Sequence, residues 1–358
     1  MNHFSFRMLA FAALAVLLSL ATDANAATAS ASKPAPLTWR GDLATSRPLM
    51  TDLAKAWSKA GHGTITVQAF STLSGLDAVS AGSADFAGSA RTGFGKRSEE
   101  ASLTFVPVAW DALVMAVHPS NPVRDATLEQ LHDIYYGRIT NWSALGGPDK
   151  PINLYSVASP LDGVEYSLRE YLYRRGNQPV ASPRLYINTQ QLEAAIALDP
   201  AGLGVTTLSS AIEDKKLRML SVQGVEPSPA NVADGSYPLY TPLYLVLSES
   251  SARADEVKAF MDFLGSDKAQ AAMRAHHVLP YDPTSVLAQQ HEAHLVAIQD
   301  ISSPPRDGPV AAPGATYAAG ATRAPTSQAT AAARERLEAQ RARQQQAGPA
   351  PASTSSGN

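Results

Sequence analysis

The chain has 358 residues, no cysteine, 45% hydrophobic residues and a formal net charge of −3. That balance offers no basic footprint for nucleic acid. With no disulfide available, a folded unit must rest on its buried core alone, and about 250 residues of periodic sequence suffice for one.

The first segment has the pattern of an export signal. His3 and Arg7 open it, an apolar run follows from Met8 to Ala21, and Ala24-Asn25-Ala26 supplies the small residues of a cleavage site before Ala27. The run, about 14 residues, is too short to cross a bilayer comfortably. Residues 1–26 are therefore expected to be removed and the mature chain to be periplasmic. An Ala/Ser/Pro linker spans 27–36.

From residue 37 to about 285 strand-like and helix-like segments alternate. Leu37–Gly41 reads as a strand. Pro48–Ala60 reads as a helix with Leu49, Leu53, Ala56 and Trp57 on one face, capped by Ser46. Ile65–Phe70 is a strand, and a short helix opens at Ser74 or Gly75. Residues 82–91 read as a turn, a short strand and a loop. The apolar run Phe105–Val117 is a long strand or strand pair, and Thr127 caps a helix to Tyr135. A strand at Ile152–Tyr155 precedes helices at Val164–Arg174 and Leu192–Ala197. Further strands fall at Gly202–Val205 and Tyr244–Leu247, and an amphipathic helix at Ala254–Leu264. Such alternation argues for α/β layers. From about Ser302 the composition turns to Ala, Pro, Gln, Ser and Gly, and the segment 284–358 is expected to be a low-complexity, largely disordered tail. Within it residues 331–346 favour a helix but carry one Leu, and so no packing stripe.

Three strand-to-helix junctions share a composition: Gly41 to Ser46, Phe70 to Leu76, and Ala158 to Val164. Each puts small or hydroxyl residues where the first backbone N–H groups of a helix lack partners and its dipole is positive. Such ends suit an anion, and the hydroxyls of Thr45, Ser46, Ser71, Thr72 and Ser74 could add donors. Ordinary helix capping explains each junction equally well when it is taken singly. After the 82–91 strand, Ser89 and Arg91 follow, and Arg91 is the nearest side chain for a charge-assisted contact with an anion; a surface ion pair is the alternative. Glu99 and Glu100 lie in sequence that reads as exposed. His276-His277 and His291-Glu292-Ala293-His294 lack the order of a zinc-protease helix, and neither a G-x-S-x-G elbow nor a Walker loop occurs. No enzyme, metal or cofactor is expected.

Four stretches carry a resemblance: STLSGLDAVSAGSADFAGSAR (71–91), TLEQLHDIYYGRITNWSALGGPDKPINLY (127–155), GVEPSPANVADGSYPLYTPLYLVL (224–247) and DEVKAFMDFLGSDKAQAAM (255–273). In these the chain resembles the periplasmic phosphate-binding proteins of phosphate ABC transporters, over about residues 37–283. The resemblance implies a type II periplasmic-binding-protein fold, two α/β lobes joined by a hinge, with 37–117 plus 222–283 forming one lobe and 118–221 the other. It implies an anion in the interlobe cleft, held by Ala44, Thr45 and Ser46, by Ser71, Thr72, Ser74 and Gly75, by Ser89 to Arg91, and by Ser159 to Gly163. Phosphate or a similar oxyanion would be the ligand, an inner-membrane ABC permease the partner, and the receptor a monomer. The sequence departs from the family at Val157, where arginine is usual, at Asp162 for glycine, at Gly163 for threonine, and at Ala90, where the most selective members carry an acid. An envelope scaffold or sensor with an altered ligand site is the alternative function.

Overall fold

A computed structural model of the protein describes residues 35–302 and the pair Thr316–Tyr317. The expected signal, most of the linker and the helix-forming stretch 331–346 lie outside the described residues. In chain order the first elements are β1 (Leu37–Gly41), α1 (Leu43–Thr45), α2 (Thr51–Lys59), β2 (Ile65–Ala69), α3 (Thr72–Ser80), β3 (Phe86–Ser89) and β4 (Leu103–Val117). Then come β5 (Asp125–Ala126), α4 (Leu128–Tyr136), β6 (Asn153–Val157), α5 (Gly163–Tyr173), β7 (Arg184–Tyr186), α6 (Thr189–Ile196), β8 (Gly202–Thr207), α7 (Leu208–Ala211), β9 (Arg218–Met219), β10 (Ser221–Val222) and α8 (Pro229–Ala233). The chain ends with β11 (Tyr240–Ser248), α9 (Ala254–Phe263), α10 (Asp267–Ala275), β12 (Leu279–Pro280), α11 (Val286–Ser302) and β13 (Thr316–Tyr317).

The long strand β4 organises the whole. Its first part, Leu103–Ala112, pairs antiparallel with β11, and its last five residues pair antiparallel with β8. On the β11 side β3, β1 and β2 follow, with β1 parallel to both neighbours; on the β8 side come β6 and β7, both in parallel pairings. The result is two α/β lobes sharing one strand, the type II periplasmic-binding-protein fold. Every residue of β4 from Val108 to Val117 is buried, which is why the sequence there is an almost unbroken apolar run. The register with β11 shifts between Leu243 and Tyr244, beside Pro107, which has no N–H for the ladder. The return passage from the second lobe lies against the same strand: Leu113 N donates to Leu239 O at 2.8 Å, and the Tyr237 hydroxyl donates to Leu113 O at 2.9 Å. The core is continuous, from Trp39, Leu53 and Phe260 in the first lobe to Leu131, Leu168 and Val205 in the second.

Capping sets most helix starts. Ser71 and Thr127 each form a reciprocal capping box with the residue three positions on, and Asn188 caps α6. The first helix differs from expectation. It begins at Leu43, five residues before Pro48, because the Asp42 side chain accepts the Thr45 N–H. Ser46 consequently lies inside the helix rather than at its cap. Pro48 cannot donate to the preceding turn, and Ser46–Met50 widens into a π-helical turn in which Thr51 N donates to Ser46 O.

Two further stretches differ from their sequence reading. Glu100 is 6% exposed. The first part of the 284–358 segment is the helix α11, which packs Leu287 and Ile298 into the core and ends with the Ser302 hydroxyl donating to Tyr171 O. Among the described residues no helix is long and apolar enough to cross a membrane.

Gly88 lies where β3 meets the start of the first helix. A Cβ there would sit 2.2 Å from Thr45 Oγ1 and 2.5 Å from the Trp39 ring. Gly88→Ala is expected to lower unfolding free energy by about 1–3 kcal/mol, measured by urea denaturation; an unchanged midpoint would contradict this packing.

Candidate functional site

The three junctions converge. The Asp42 carboxylate, 4% exposed, sits at the end of β1 with four donors around it. Its Oδ1 accepts from Thr45 N at 2.9 Å and Thr45 Oγ1 at 2.7 Å; its Oδ2 accepts from Thr72 Oγ1 at 2.7 Å and Ala90 N at 3.0 Å. These donors belong to the start of the first helix, the start of α3 and the end of β3. The second lobe brings the start of α5 to the same point. Gly163 N donates to Thr72 Oγ1 at 2.9 Å, and Thr72 N donates to Asp162 Oδ1 at 3.2 Å. A Cβ on Gly163 would lie 2.7 Å from Asp42 Oδ2 and 2.8 Å from Ala90 N, so only glycine admits so close an approach. The Ser167 hydroxyl of α5 donates to Ala90 O at 2.7 Å, and Arg91 Nε donates to Leu161 O at 2.8 Å. The lobes therefore meet here in a closed arrangement.

The residues singled out in the sequence divide into two groups. Thr45, Thr72 and Gly163 are in the cluster, with Ala44 and Ser46 buried beside it. Gly75, in the first turn of α3, allows that helix to approach the β1 backbone, its Cβ position being 2.6 Å from Arg40 O. The others turn to local partners. Ser71 and Ser74 serve the α3 capping box, the Ser89 hydroxyl donates to Arg91 O at 2.8 Å, and the Ser159 hydroxyl accepts from Leu161 N. Arg91 is buried and forms a bidentate pair with Glu100, at 3.0 and 2.7 Å, while also donating to Thr92 O. Arg97 reaches the same carboxylate at 3.1 Å. Val157, where the family usually has arginine, is buried and donates its N–H to Glu165, which Arg169 of α5 pairs at 2.9 Å.

Sequence reasoning missed Asp42 as a centre and Glu100 as a buried partner. An acid directly before a helix, at the end of a strand, is an N-cap signal that could have exposed the first. Nothing local marks the second, because its partner Arg91 lies across a loop.

The electrostatics follow from this crowding. Burial and the nearby charge of Asp42 push the Asp162 carboxyl up to about 7. For Glu100, burial works to raise its pKa, but the hydrogen bonds and charge of Arg91 outweigh it and hold the carboxyl below its ordinary value. In the hinge strand, burial pushes Asp111 up to about 6 against hydrogen bonds from Ser209 and Ala112.

Between its ordinary value of 3.8 and about 7, folded Asp162 holds a proton that the unfolded chain has released. Its contribution thus makes stability fall as pH rises through that window. Asp162→Asn keeps an acceptor for Thr72 N and should remove this part of the pH dependence of the thermal midpoint between about pH 4 and 7, leaving that of Asp111 and, with the opposite sign, those of half-buried His291 and His294. Equal slopes in both proteins, by circular dichroism, would refute this. Glu100→Gln strands the Arg91 charge and is expected to cost about 3–5 kcal/mol in denaturant titration.

Comparison with known proteins places this geometry. The profile of the PBP superfamily domain matches residues 28–268. The phosphate-binding protein PstS of Bacillus subtilis is 28% identical over 242 residues, covering 66% of this chain and 77% of that one. Protein SphX of Synechococcus elongatus is 31% identical over 172 residues, half of its own length. Among solved structures, a phosphate ABC transporter substrate-binding protein of Clostridium perfringens with bound phosphate aligns with a TM-score of 0.63 at 26% identity, over 69% of this chain and all of that one. An ABC-type phosphate transport receptor of Vibrio cholerae aligns at 0.55 and 26% identity, over 68% and 99%. The chain belongs to the PBP superfamily.

Proposed function

We propose that this chain is an exported solute-binding protein that captures phosphate, or a related small oxyanion, between its lobes and passes it to an inner-membrane ABC permease. The observation that carries this reading is the convergence of Thr45 N, Thr45 Oγ1, Thr72 Oγ1 and Ala90 N on one oxygen-bearing group. In this structure the Asp42 carboxylate stands where an oxyanion would accept those bonds. Fixed N–H and O–H donors at helix starts replace the water shell of an anion without reorganising. The names of the related proteins, phosphate-binding and phosphate-transport receptors, support the choice of ligand and of an ABC permease as partner. Capture rather than catalysis is the chemistry on offer. The export pattern at residues 1–26 supports a periplasmic chain cleaved after Ala26, which we take to act as a monomer.

One observation favours the second reading, an envelope scaffold or sensor with an altered ligand site. Two carboxyl groups, Asp42 and Asp162, lie within the cluster itself; the Asp42 carboxylate opposes an incoming anion, and Asp162 does so once it ionises near pH 7.

Isothermal titration of the ligand-stripped mature chain with phosphate and then sulfate separates the two. The expected result is a phosphate heat with a weaker sulfate response. Thr72→Ala removes one hydroxyl donor to a charged acceptor and should weaken phosphate by about 10- to 100-fold while the thermal midpoint shows the chain still folded. No heat from either anion would move the scaffold reading ahead.

A further inference from the structure

Asp42 has the position of a ligand. A capping aspartate needs one contact, from an N–H in the first turn. Asp42 makes that contact and three more: with the Thr45 hydroxyl, with Thr72 thirty residues on, and with Ala90 N beyond β3. Each of its oxygens accepts two bonds, Oδ1 from Thr45 and Oδ2 from two elements distant in the chain, as a bound oxyanion's would. It also takes part in closure. Gly163 N of the second lobe donates to Thr72 Oγ1, whose own proton is donated to Asp42 Oδ2, so a relay of two bonds runs from one lobe to the carboxylate in the other. The tight approach of Gly163 to Asp42 leaves no room for a second anion between them while Asp42 is in place.

We propose that Asp42 is an internal ligand: without an outside oxyanion its carboxylate fills the anion position and latches the lobes shut, so that capture exchanges one anion for another. This rests on the oxyanion-binding reading above. An anion tethered to its own site competes at high effective concentration, and an incoming ligand sees only the fraction of molecules in which it has swung away. Apparent affinity is then set by Asp42 as much as by the donors. An empty receptor of this kind is closed, unlike one that closes only when its ligand completes the cleft.

The test uses a distance between the lobes. The chain has no cysteine, so Ser80→Cys at the end of α3 and Leu198→Cys after α6, both exposed, carry spin labels without background. The labelled, ligand-stripped mature chain is compared with the same chain bearing Asp42→Ser, which keeps a capping side chain but is too short to reach Thr72 and Ala90. With native Asp42 a short, narrow distance distribution is expected, unchanged by phosphate. With Asp42→Ser a longer and broader one is expected, shortened by phosphate, together with phosphate affinity at least about tenfold tighter by titration. The latch is overturned if the stripped native chain is open, or if Asp42→Ser is as closed as the native chain. If Asp42→Ser opens but phosphate neither closes it nor gives heat, the latch stands and the phosphate reading fails. Should Asp42→Ser not fold, Asp42→Asn keeps the acceptor for Thr45 N while turning an amide N–H2 towards the Ala90 donor, and the same outcomes decide.

Discussion

A carboxylate taken out of water has to be surrounded by donors, and in this fold the donors of Asp42 come from places far apart in the chain. Its burial is tolerable only while the end of β1, the first turn of α3 and the end of β3 are held together. The small residues nearby follow from the same demand. Gly41, Gly88 and Gly163 each stand where a methyl group would meet backbone or hydroxyl atoms at under 3 Å. The parallel strands β1 and β3 can bring their ends together in this way because neither carries a side chain at that level.

Across the cleft the second lobe joins through mostly polar contacts, with the Phe94 ring edge-on to Tyr166 as an aromatic one. Besides the Gly163–Thr72 bond there are Ser167 with Ala90, Arg91 with Leu161, and the ion pair of Arg47 with Glu193 at 2.9 Å. Such an interface can part without exposing a large apolar surface, whereas β4 and β11 cannot, since they hold the continuous core. An apolar hinge strand and a polar cleft are two sides of one arrangement. Arg91 shows the division within a single residue: its guanidinium is fixed by Glu100 inside the first lobe, and its Nε is left to reach the second.

Much of the fold was legible in the sequence because its signals are local. The apolar run of β4, the glycine-ended strand β1, and the Thr127 cap with Gln130 three residues on are each decided by neighbours a few positions away. The three loops at helix starts were legible as a composition, but their meeting in space was not, since it depends on a sheet order that no single loop encodes. Two local readings failed for the same reason. Ser46 is a good capping residue, yet Asp42, four positions earlier, caps the helix through Thr45 N and is held in place by Thr72 and Ala90 far along the chain. Glu100 stands in charged, turn-rich sequence, yet Arg91 nine residues before it draws it into the interior. Composition also hid α11, which packs Leu287 and Ile298 into the core and bonds to the α5 backbone through Gln299 and Ser302.

That last attachment has a mechanical side. Ser302 and Gln299 bind the backbone of Tyr171 and Glu170, and Asp300 pairs with Arg174, all at the C-terminal end of α5. The opposite end of that helix, about 16 Å away, is Gly163, seated against Thr72. Ser302 and Gln299 thus hold one end of a rigid rod whose far tip, Gly163, is seated against Thr72, so a shift at either end of α5 is carried to the other.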